Sequence, residues 1–200
     1  MKLKKIEKLC KSAGNVILCD EEAVVDESED DVTVAPIRQW MGDGGALYPL
    51  DGVPYLNEEA VYAIFDVNAK QAEKLRVSYY EQLPADLCFT DFCAGEELLE
   101  PVKLTMSLGG VALHLLRDSA GALLVIKDEY RAPFDNWKDC ECYKRVTERG
   151  TAYVAVKSGC VLRGVIMQYN CIDADFVEAL GAVYNAAGVA AAAKKEGKRS

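Results

Sequence analysis

The sequence predicts an α+β fold in which antiparallel β-hairpins form a sheet or meander and about three helices pack on it. Two pairs of apolar segments with strand-like alternation flank short turns, one at residues 117–120 and one at residues 158–159. Apolar residues with helical spacing lie near the N-terminus and again after Asn57 and Asp173. A chain of 200 residues, 50% of them hydrophobic, is long enough to bury one substantial core.

The N-terminal segment predicts a helix followed by a strand. Over residues 2–12, apolar residues such as Leu3 and Ile6 repeat at helical spacing, and Gly14 then ends the helix. Residues 16–19 are uniformly apolar, which is typical of a buried strand.

An acidic run follows, because residues 20–31 hold eight acidic residues and no basic one. Packing that many carboxylates into a core would cost too much, so we expect a solvated hairpin tip. Strand character resumes over residues 32–41, where Pro36 indicates an edge or a bulge.

The next segment predicts a turn, a strand and a helix. Residues 42–45 read Gly-Asp-Gly-Gly, a strong turn signal, and residues 46–50 form the strand. Asn57 caps the helix and acidic residues fill its first turn. Its predicted core stripe is Val61, Ile64 and Phe65.

Residues 68–101 carry weaker signals. Residues 70–76 could extend the preceding helix, and residues 77–80 could form a strand. Residues 83–101 are predicted to be an ordered loop with a helical turn, and nothing in their sequence indicates chemistry.

The C-terminal part is predicted to be rich in strands. Residues 111–116 pair with 121–126 in one hairpin, and residues 153–157 pair with 160–167 in a second one. Asp173 then caps a final helix. The residues predicted to face the core from this helix are Phe176, Val177, Leu180, Val183 and Tyr184.

The chain is predicted to be one domain over residues 1–185, with an alanine-rich helix end and a basic flexible tail over 186–200. Three segments share a turn glycine that leads into a buried strand, at Gly45, Gly121 and Gly159. If they are repeats, the domain consists of two similar β-rich halves, residues 1–100 and 101–185. The alternative is that hairpins share generic turn chemistry.

Composition predicts a cytoplasmic protein. No apolar run reaches the roughly 18–20 residues of a membrane helix, and the N-terminus lacks the features of a signal peptide. The eight cysteines lie largely among apolar residues, as buried thiols in a reducing compartment do. The formal net charge of −9 argues against general binding to nucleic acid or to anionic membranes.

Cysteine and histidine positions do not predict a metal site or a nucleophilic dyad. Cys88 and Cys93 could join Cys140 and Cys142 in a zinc site, but their spacings do not match those of zinc motifs, and free thiols are favoured. The only histidine, His114, is predicted on the solvent face of a strand.

Carboxylates and glycines give no catalytic motif either. Most acidic residues fall in the 20–31 run or in first turns of helices, and residues 42–45 lack the Walker lysine and the dinucleotide spacing. We therefore predict no cofactor and no catalytic residue. A small carboxylate-dependent or metal-dependent enzyme centred on Asp43 is an alternative that stays open.

Two stretches carry a resemblance to a known fold. Asp43 and Gly44 followed by the strand at Leu47, together with residues 153–167 leading into Phe176, resemble the DNA sliding-clamp fold, whose repeated units place strands around inner helices. The chain also resembles the uncharacterised small proteins of bacterial prophages. The clamp resemblance implies an oligomer, and implies DNA contact only through that assembly.

Charge on the helices opposes the clamp interpretation. Helices that line a DNA channel need lysine and arginine for the phosphates. Here the helix after Asn57 carries Glu58 and Glu59, and the final helix carries Asp175 and Glu178. Only the N-terminal helix is basic.

The leading hypothesis is a non-catalytic phage or prophage-type accessory protein that binds a protein of the DNA-processing machinery. One alternative is an acidic inhibitor that imitates nucleic-acid phosphates, and others are a virion structural protein or the small enzyme. Aromatic residues are frequent interface anchors, and acidic runs are frequent interaction segments. The candidate interaction residues are Asp26, Glu27, Glu29, Asp30, Asp31, Trp40, Asp43, Tyr55 and Trp137.

Overall fold

The computed structural model describes residues 2–21, 38–104, 106–170 and 173–196. Within those ranges the chain forms a mixed sheet of eleven strands with four α-helices, which confirms the predicted α+β class. None of the helices in the described ranges is long and apolar enough to cross a membrane.

The strands and helices of the described residues have the following bounds. The strands are β1 (Asn15–Glu21), β2 (Arg38–Gly42), β3 (Ala46–Pro49), β4 (Arg76–Tyr80), β5 (Glu97–Pro101), β6 (Met106–Leu108), β7 (Val111–Arg117), β8 (Leu123–Lys127), β9 (Cys140–Val146), β10 (Ala152–Ser158) and β11 (Val161–Met167). The helices are α1 (Leu3–Ala13), α2 (Glu58–Ile64), α3 (Ala69–Ala72) and α4 (Ala174–Glu196).

The sheet brings strands from the first and last thirds of the chain side by side. Its strand order is β4-β1-β2-β3-β11-β10-β9-β5-β7-β6, with β8 also paired to β7. All the pairs are antiparallel except β1 with β4. The pairing of β3 with β11 is short, with Leu47 and Ala46 of β3 opposite Val165 and Ile166 of β11. The Tyr169 amide, just past the end of β11, also donates to the Val125 carbonyl of β8.

The main core lies on the face of the sheet that α1 and α2 cover, which we call the inner face. Ile6 of α1 and Val61 of α2 pack there against Leu18, Val154 and other fully buried strand residues. Alternation along the same strands sends their other side chains to the opposite, outer face. Most of the apolar burial that stabilises the fold is therefore on the inner face.

Helix boundaries follow from local capping. Gly14 ends α1 with a φ of 67°, a left-handed conformation that glycine adopts without strain. The Asn57 side chain accepts a hydrogen bond from the Ala60 amide at 2.8 Å, and the Asp173 carboxylate accepts from the Asp175 amide at 2.9 Å. These contacts confirm the predicted starts of α2 and α4.

Some predicted core positions are wrong. Ile64 is 42% exposed, Phe176 is 53% exposed and Val183 is 67% exposed. The cause in α4 is that, among its described side chains, only a narrow stripe that includes Val177 and Leu180 packs against the β7–β8 hairpin. In α2 the helix is short, and Ile64 lies in its last turn.

The predicted loop over residues 83–101 also needs correction, because its last five residues form β5. Leu99 of β5 pairs with Cys142 of β9, and Pro101 pairs with Leu116 of β7. Only Leu99 is buried in this strand, so alternation was too short to detect. Residues 70–76 do not extend α2 either, because the backbone turns at Asp66 and Asn68 caps the separate helix α3.

Candidate functional site

Residues 81–96, which we call the cover segment, join β4 to β5 and lie across the outer face. Three of its apolar side chains, Leu83, Leu87 and Phe89, pack into a second, smaller hydrophobic cluster on that face. The ring of Phe89 meets that of Trp40 edge-on, with centroids 4.9 Å apart. The cover segment is therefore an ordered layer with its own apolar contacts.

A buried arginine fixes the backbone of the cover segment. The Arg145 guanidinium, which has no solvent exposure, donates to the carbonyl of Cys88 at 2.8 Å and to that of Thr90 at 3.0 Å. It also donates to the Glu96 carboxylate at 2.9 and 2.7 Å. The fork of donors in arginine suits several acceptors at once, and here it joins the middle of the cover segment and its last residue, Glu96, to β9.

Glu96 lies between two cations. Its carboxylate accepts hydrogen bonds from Arg145 and from Lys157 of β10, and all three side chains are almost fully buried. Burial opposes ionisation of Glu96, but the hydrogen bonds from Lys157 and Arg145 outweigh it and lower the pKa of the carboxyl group. The Lys157 ammonium also lies 4.3 Å from the centroid of the Tyr143 ring.

An apolar cleft of about 440 Å³ opens between the cover segment and the sheet. Its floor consists of strand residues, and Gln82 and Asp86 of the cover segment place polar groups on its wall. The volume lies in the range of small-molecule and side-chain pockets. The lining residues are Ile17, Cys19, Gly44, Ala46, Leu47, Tyr80, Gln82, Leu83, Pro84, Asp86, Leu87, Val165 and Met167.

Two half-buried thiols lie further along the cover segment. The Cys88 sulfur is 3.1 Å from the Thr90 hydroxyl oxygen, and the Cys88 amide donates to the Tyr153 hydroxyl at 2.8 Å. Cys93 lies five positions further along the same segment and is also partly exposed.

Five of the sequence-predicted interaction residues, Asp26, Glu27, Glu29, Asp30 and Asp31, lie outside the described residues. The beginning of the same acidic run is described, and it makes internal contacts. The Asp20 carboxylate accepts hydrogen bonds from Gln39 at 2.9 Å, from Tyr55 at 2.9 Å and from Tyr79.

The structure places the other four candidates in different settings. Trp40 is fully buried and donates to Glu21 at 2.9 Å. The Asp43 carboxylate closes its own turn by accepting hydrogen bonds from the Gly45 and Ala46 amides, and it also accepts from Tyr130. Tyr55 is 53% exposed, and Trp137 is half-buried beside Phe134. These four residues do not share one surface, because Trp40 faces the outer cluster while Trp137 packs against the inner core.

His114 is more buried than alternation predicts. Its ring meets that of Trp137 edge-on at 5.8 Å, and its Nε2 is buried without a hydrogen-bond partner in the described part of the chain. Burial, and then the charge of Arg131, lower the pKa of His114 to about 4. The prediction failed because the segment that carries Arg131 and Trp137 folds over this face of β7.

The four cysteines considered for zinc are not brought together. Cys142 packs into the inner core, with Cys140 against it, whereas Cys88 and Cys93 lie in the cover segment on the outer face. Among the residues that the structure describes, no group of three or more His, Cys, Asp or Glu side chains is arranged to hold a metal ion.

Sequence patterns did not predict that Arg145, Glu96 and Lys157 meet in one buried cluster. In the sequence, Arg145 of β9 and Lys157 of β10 look like ordinary solvent-facing residues between apolar ones. One signal was available, because Lys157 continues the alternation that puts Tyr153 and Ala155 on a buried face. The partner, Glu96, lies 49 residues before Arg145, and no local pattern connects them.

Searches for relatives of this chain among protein families, curated proteins and solved structures find no match.

Proposed function

We propose that the chain is a non-catalytic binding protein that takes an apolar side chain of a protein partner into the outer-face cleft. The observation that carries the proposal is the cleft itself, which has apolar residues of three strands as its floor and polar groups on the cover segment. Binding sites typically combine an apolar hollow with a few polar groups that fix orientation. Tyr80, which is half exposed, adds an aromatic contact at one side.

Charge specifies the partner further. Asp86 is the one charged residue among the described residues that line the cleft, and it is acidic. The neighbouring Glu81 and the net charge of −9 extend this acidic character. Complementary charge steers association and selects partners, so the segment that we propose carries lysine or arginine next to its apolar anchor.

This partner chemistry agrees with the hypothesis from the sequence. Proteins that act on nucleic acids carry basic segments that contact phosphates, so a DNA-processing protein is the class of partner that we propose. Asp20, at the start of the acidic run, is engaged within the fold, because its carboxylate accepts three internal hydrogen bonds. The phage origin and the clamp-like assembly stay predictions.

The proposal is tested with a displayed library of random peptides, selected on the native protein and ranked by affinity. We expect enriched peptides to contain an aromatic or aliphatic residue flanked by lysine or arginine. A Met167→Trp variant fills the cleft and should lose this binding. The matched control is Met106→Trp, because Met106 is equally half-buried but lies in β6, away from the cleft.

Two results would overturn the proposal. One is a selection that enriches no apolar and basic motif. The other is a set of peptides that bind the Met167→Trp and Met106→Trp variants equally well, with both variants folded by circular dichroism.

A further inference from the structure

The edge of the sheet at β4 is open, whereas the other terminal strands are shorter or partly covered. Among the described strands, β4 pairs only with β1. β6, at the other end of the strand order, has three residues. β8 pairs with β7, and the Tyr169 amide also bonds to its Val125 carbonyl. In the described part of the chain, β4 is therefore the terminal strand that keeps a full row of backbone groups available for pairing.

The direction of each backbone group in β4 follows from its parallel pairing with β1. The Arg76 amide donates to the Gly14 carbonyl at 3.0 Å, and the register then continues without a shift as far as Tyr80. In a parallel ladder, alternate residues of a strand bond to the same neighbour. The backbone groups of Val77 and Tyr79 therefore point away from β1, and none of the described residues forms a backbone hydrogen bond with them.

The sequence of β4 lacks the features by which proteins commonly block an exposed edge, which are prolines, lysines and bulges. Arg76–Tyr80 contains no proline and no lysine, and its pairing with β1 has no register shift. Its β-branched and aromatic residues favour the extended conformation. Tyr79 and Tyr80 are 42% and 51% exposed. An added strand would thus meet free donors, free acceptors and two aromatic side chains.

This open edge adjoins the outer-face cleft. Tyr80 belongs to both, because it is the last residue of β4 and lines the cleft. Ser78, the preceding outer-face residue of β4, pairs with Ile17 of the cleft floor and has a short side chain. Neighbouring strands lie about 4.8 Å apart, so a long apolar side chain placed opposite Ser78 on an added strand can cross it and enter the cleft over Ile17.

We propose that the partner segment binds as an extended strand on the open edge of β4 and inserts its apolar anchor, placed opposite Ser78, into the cleft. This inference rests on the proposed function and specifies the conformation of the segment that the cleft receives. The main-chain groups of the segment pair with Val77 and Tyr79. In this mode of recognition the backbone supplies affinity, and alternate side chains supply specificity.

Charge specifies which end of the partner strand is basic. Arg76 lies at the start of β4, whereas Glu81 follows its end and Asp86 lies on the cleft wall. Like charges on directly opposite strand positions are unfavourable. We therefore expect the lysine or arginine of the partner on the Tyr80 side of the anchor, where it can also stack on the Tyr80 ring.

The first experiment follows amide hydrogen exchange by NMR in the native protein, free and bound to the best peptide from the displayed library. In the free protein we expect fast exchange at Val77 and Tyr79 and slow exchange at Ser78, whose amide faces β1. Peptide binding should slow Val77 and Tyr79 by about tenfold or more, the effect of roughly one added hydrogen bond, and leave Ser78 unchanged. A peptide that shifts the cleft methyl groups without slowing these two amides overturns the strand pairing and leaves the proposed function standing.

The second experiment removes the amide donors of the selected peptide one at a time by N-methylation. Because only alternate residues of an edge-bound strand bond to their neighbour, affinity should fall by about tenfold or more at alternate positions. It should change little at the positions between them. Affinity that is insensitive to N-methylation, or that falls without this alternation, contradicts the proposal.

A protein variant tests the edge itself. Val77→Pro removes an amide that points away from β1, and proline is tolerated at such an edge position. We expect this variant to stay folded by circular dichroism and to lose peptide binding. The matched control is Ser107→Pro, an exposed position in the terminal strand β6, which should bind like the native protein. If Val77→Pro does not fold, the exchange and N-methylation results decide.

Other occupants of the edge give different results. Slow exchange of Val77 and Tyr79 in the free protein overturns the proposal. With a dimeric mass in light scattering, a second copy of the chain fills the edge, and with a monomeric mass another segment of the same chain does. A selection that yields no peptide overturns the proposed function, and the strand pairing with it.

Discussion

The two faces of the sheet are built from alternating residues of the same strands, but they differ in what covers them and in what they bury. On the inner face, α1 and α2 lie over side chains such as Leu18 and Val154, which are fully apolar and inaccessible. On the outer face, an irregular segment covers a smaller cluster, buried charges and an open cleft. The inner face is a closed apolar core, whereas the outer face combines a smaller apolar cluster with buried charges and the cleft that we propose as the binding site.

The largest expected loss of stability comes from the buried arginine that holds the cover segment against the outer face. Arg145→Met leaves the Glu96 and Lys157 pair without its second cation and frees the carbonyls of Cys88 and Thr90. Leaving a buried acceptor without its donor costs about 1–3 kcal/mol, and Arg145 serves several, so we expect a loss of at least about 3 kcal/mol in the free energy of unfolding in urea.

The control for Arg145→Met is Arg163→Met. Arg163 is 39% exposed and pairs with Asp51 at the surface. Surface pairs contribute up to about 1 kcal/mol. Equal losses in the two variants would contradict the structural role assigned to Arg145.

A substitution on the inner face sharpens the contrast. Leu18→Ala removes a fully buried side chain from the main core, and such truncations cost about 2–5 kcal/mol. We expect this variant to unfold at a lower urea concentration. The alkylation rate of half-buried Cys88, relative to that of exposed Cys160, should stay unchanged. Arg145→Met should change that ratio, because it releases the loop. If both variants change it alike, the two faces are not independent.

The smallest effect concerns His114, which is the only histidine of the chain. Its pKa is about 4 in the folded protein, below the ordinary value of about 6.5. Below about pH 6.5 the unfolded chain takes up a proton that folded His114 refuses, so stability falls as the pH drops towards 4 and then levels off. NMR titration of its single imidazole gives the midpoint directly, and a value near 6.5 would place the ring in solvent.

Local sequence determined which parts of the fold were predictable. The capping residues Asn57 and Asp173 and the turn at residues 158–159 act within a few residues, so the helices and hairpins next to them were predicted correctly. The pairing of Leu47 with Val165 connects distant segments and could not be read from either one. The predicted core-facing residues were wrong where a helix packs against few other elements, as in α4.

The candidate site was almost invisible in the sequence for the same reason. Each part looks ordinary alone, since a strand arginine is usually solvated and a C-x₄-C spacing matches no motif. Only the folding of the cover segment over β9 and β10 places Arg145, Glu96 and Cys88 together. Aromatic residues such as Trp40 attracted attention from the sequence, but that side chain is buried in the outer cluster.

The most direct test of the account is methyl NMR of the native protein titrated with a selected apolar and basic peptide. We predict that the largest chemical-shift changes occur in the methyl groups of Ile17, Leu47 and Val165 on the cleft floor. The methyl groups of Leu83 and Leu87 in the cover segment should change as well. Shifts confined to α4 or to the β6–β7 hairpin would place binding elsewhere and contradict the assignment of function to the outer face.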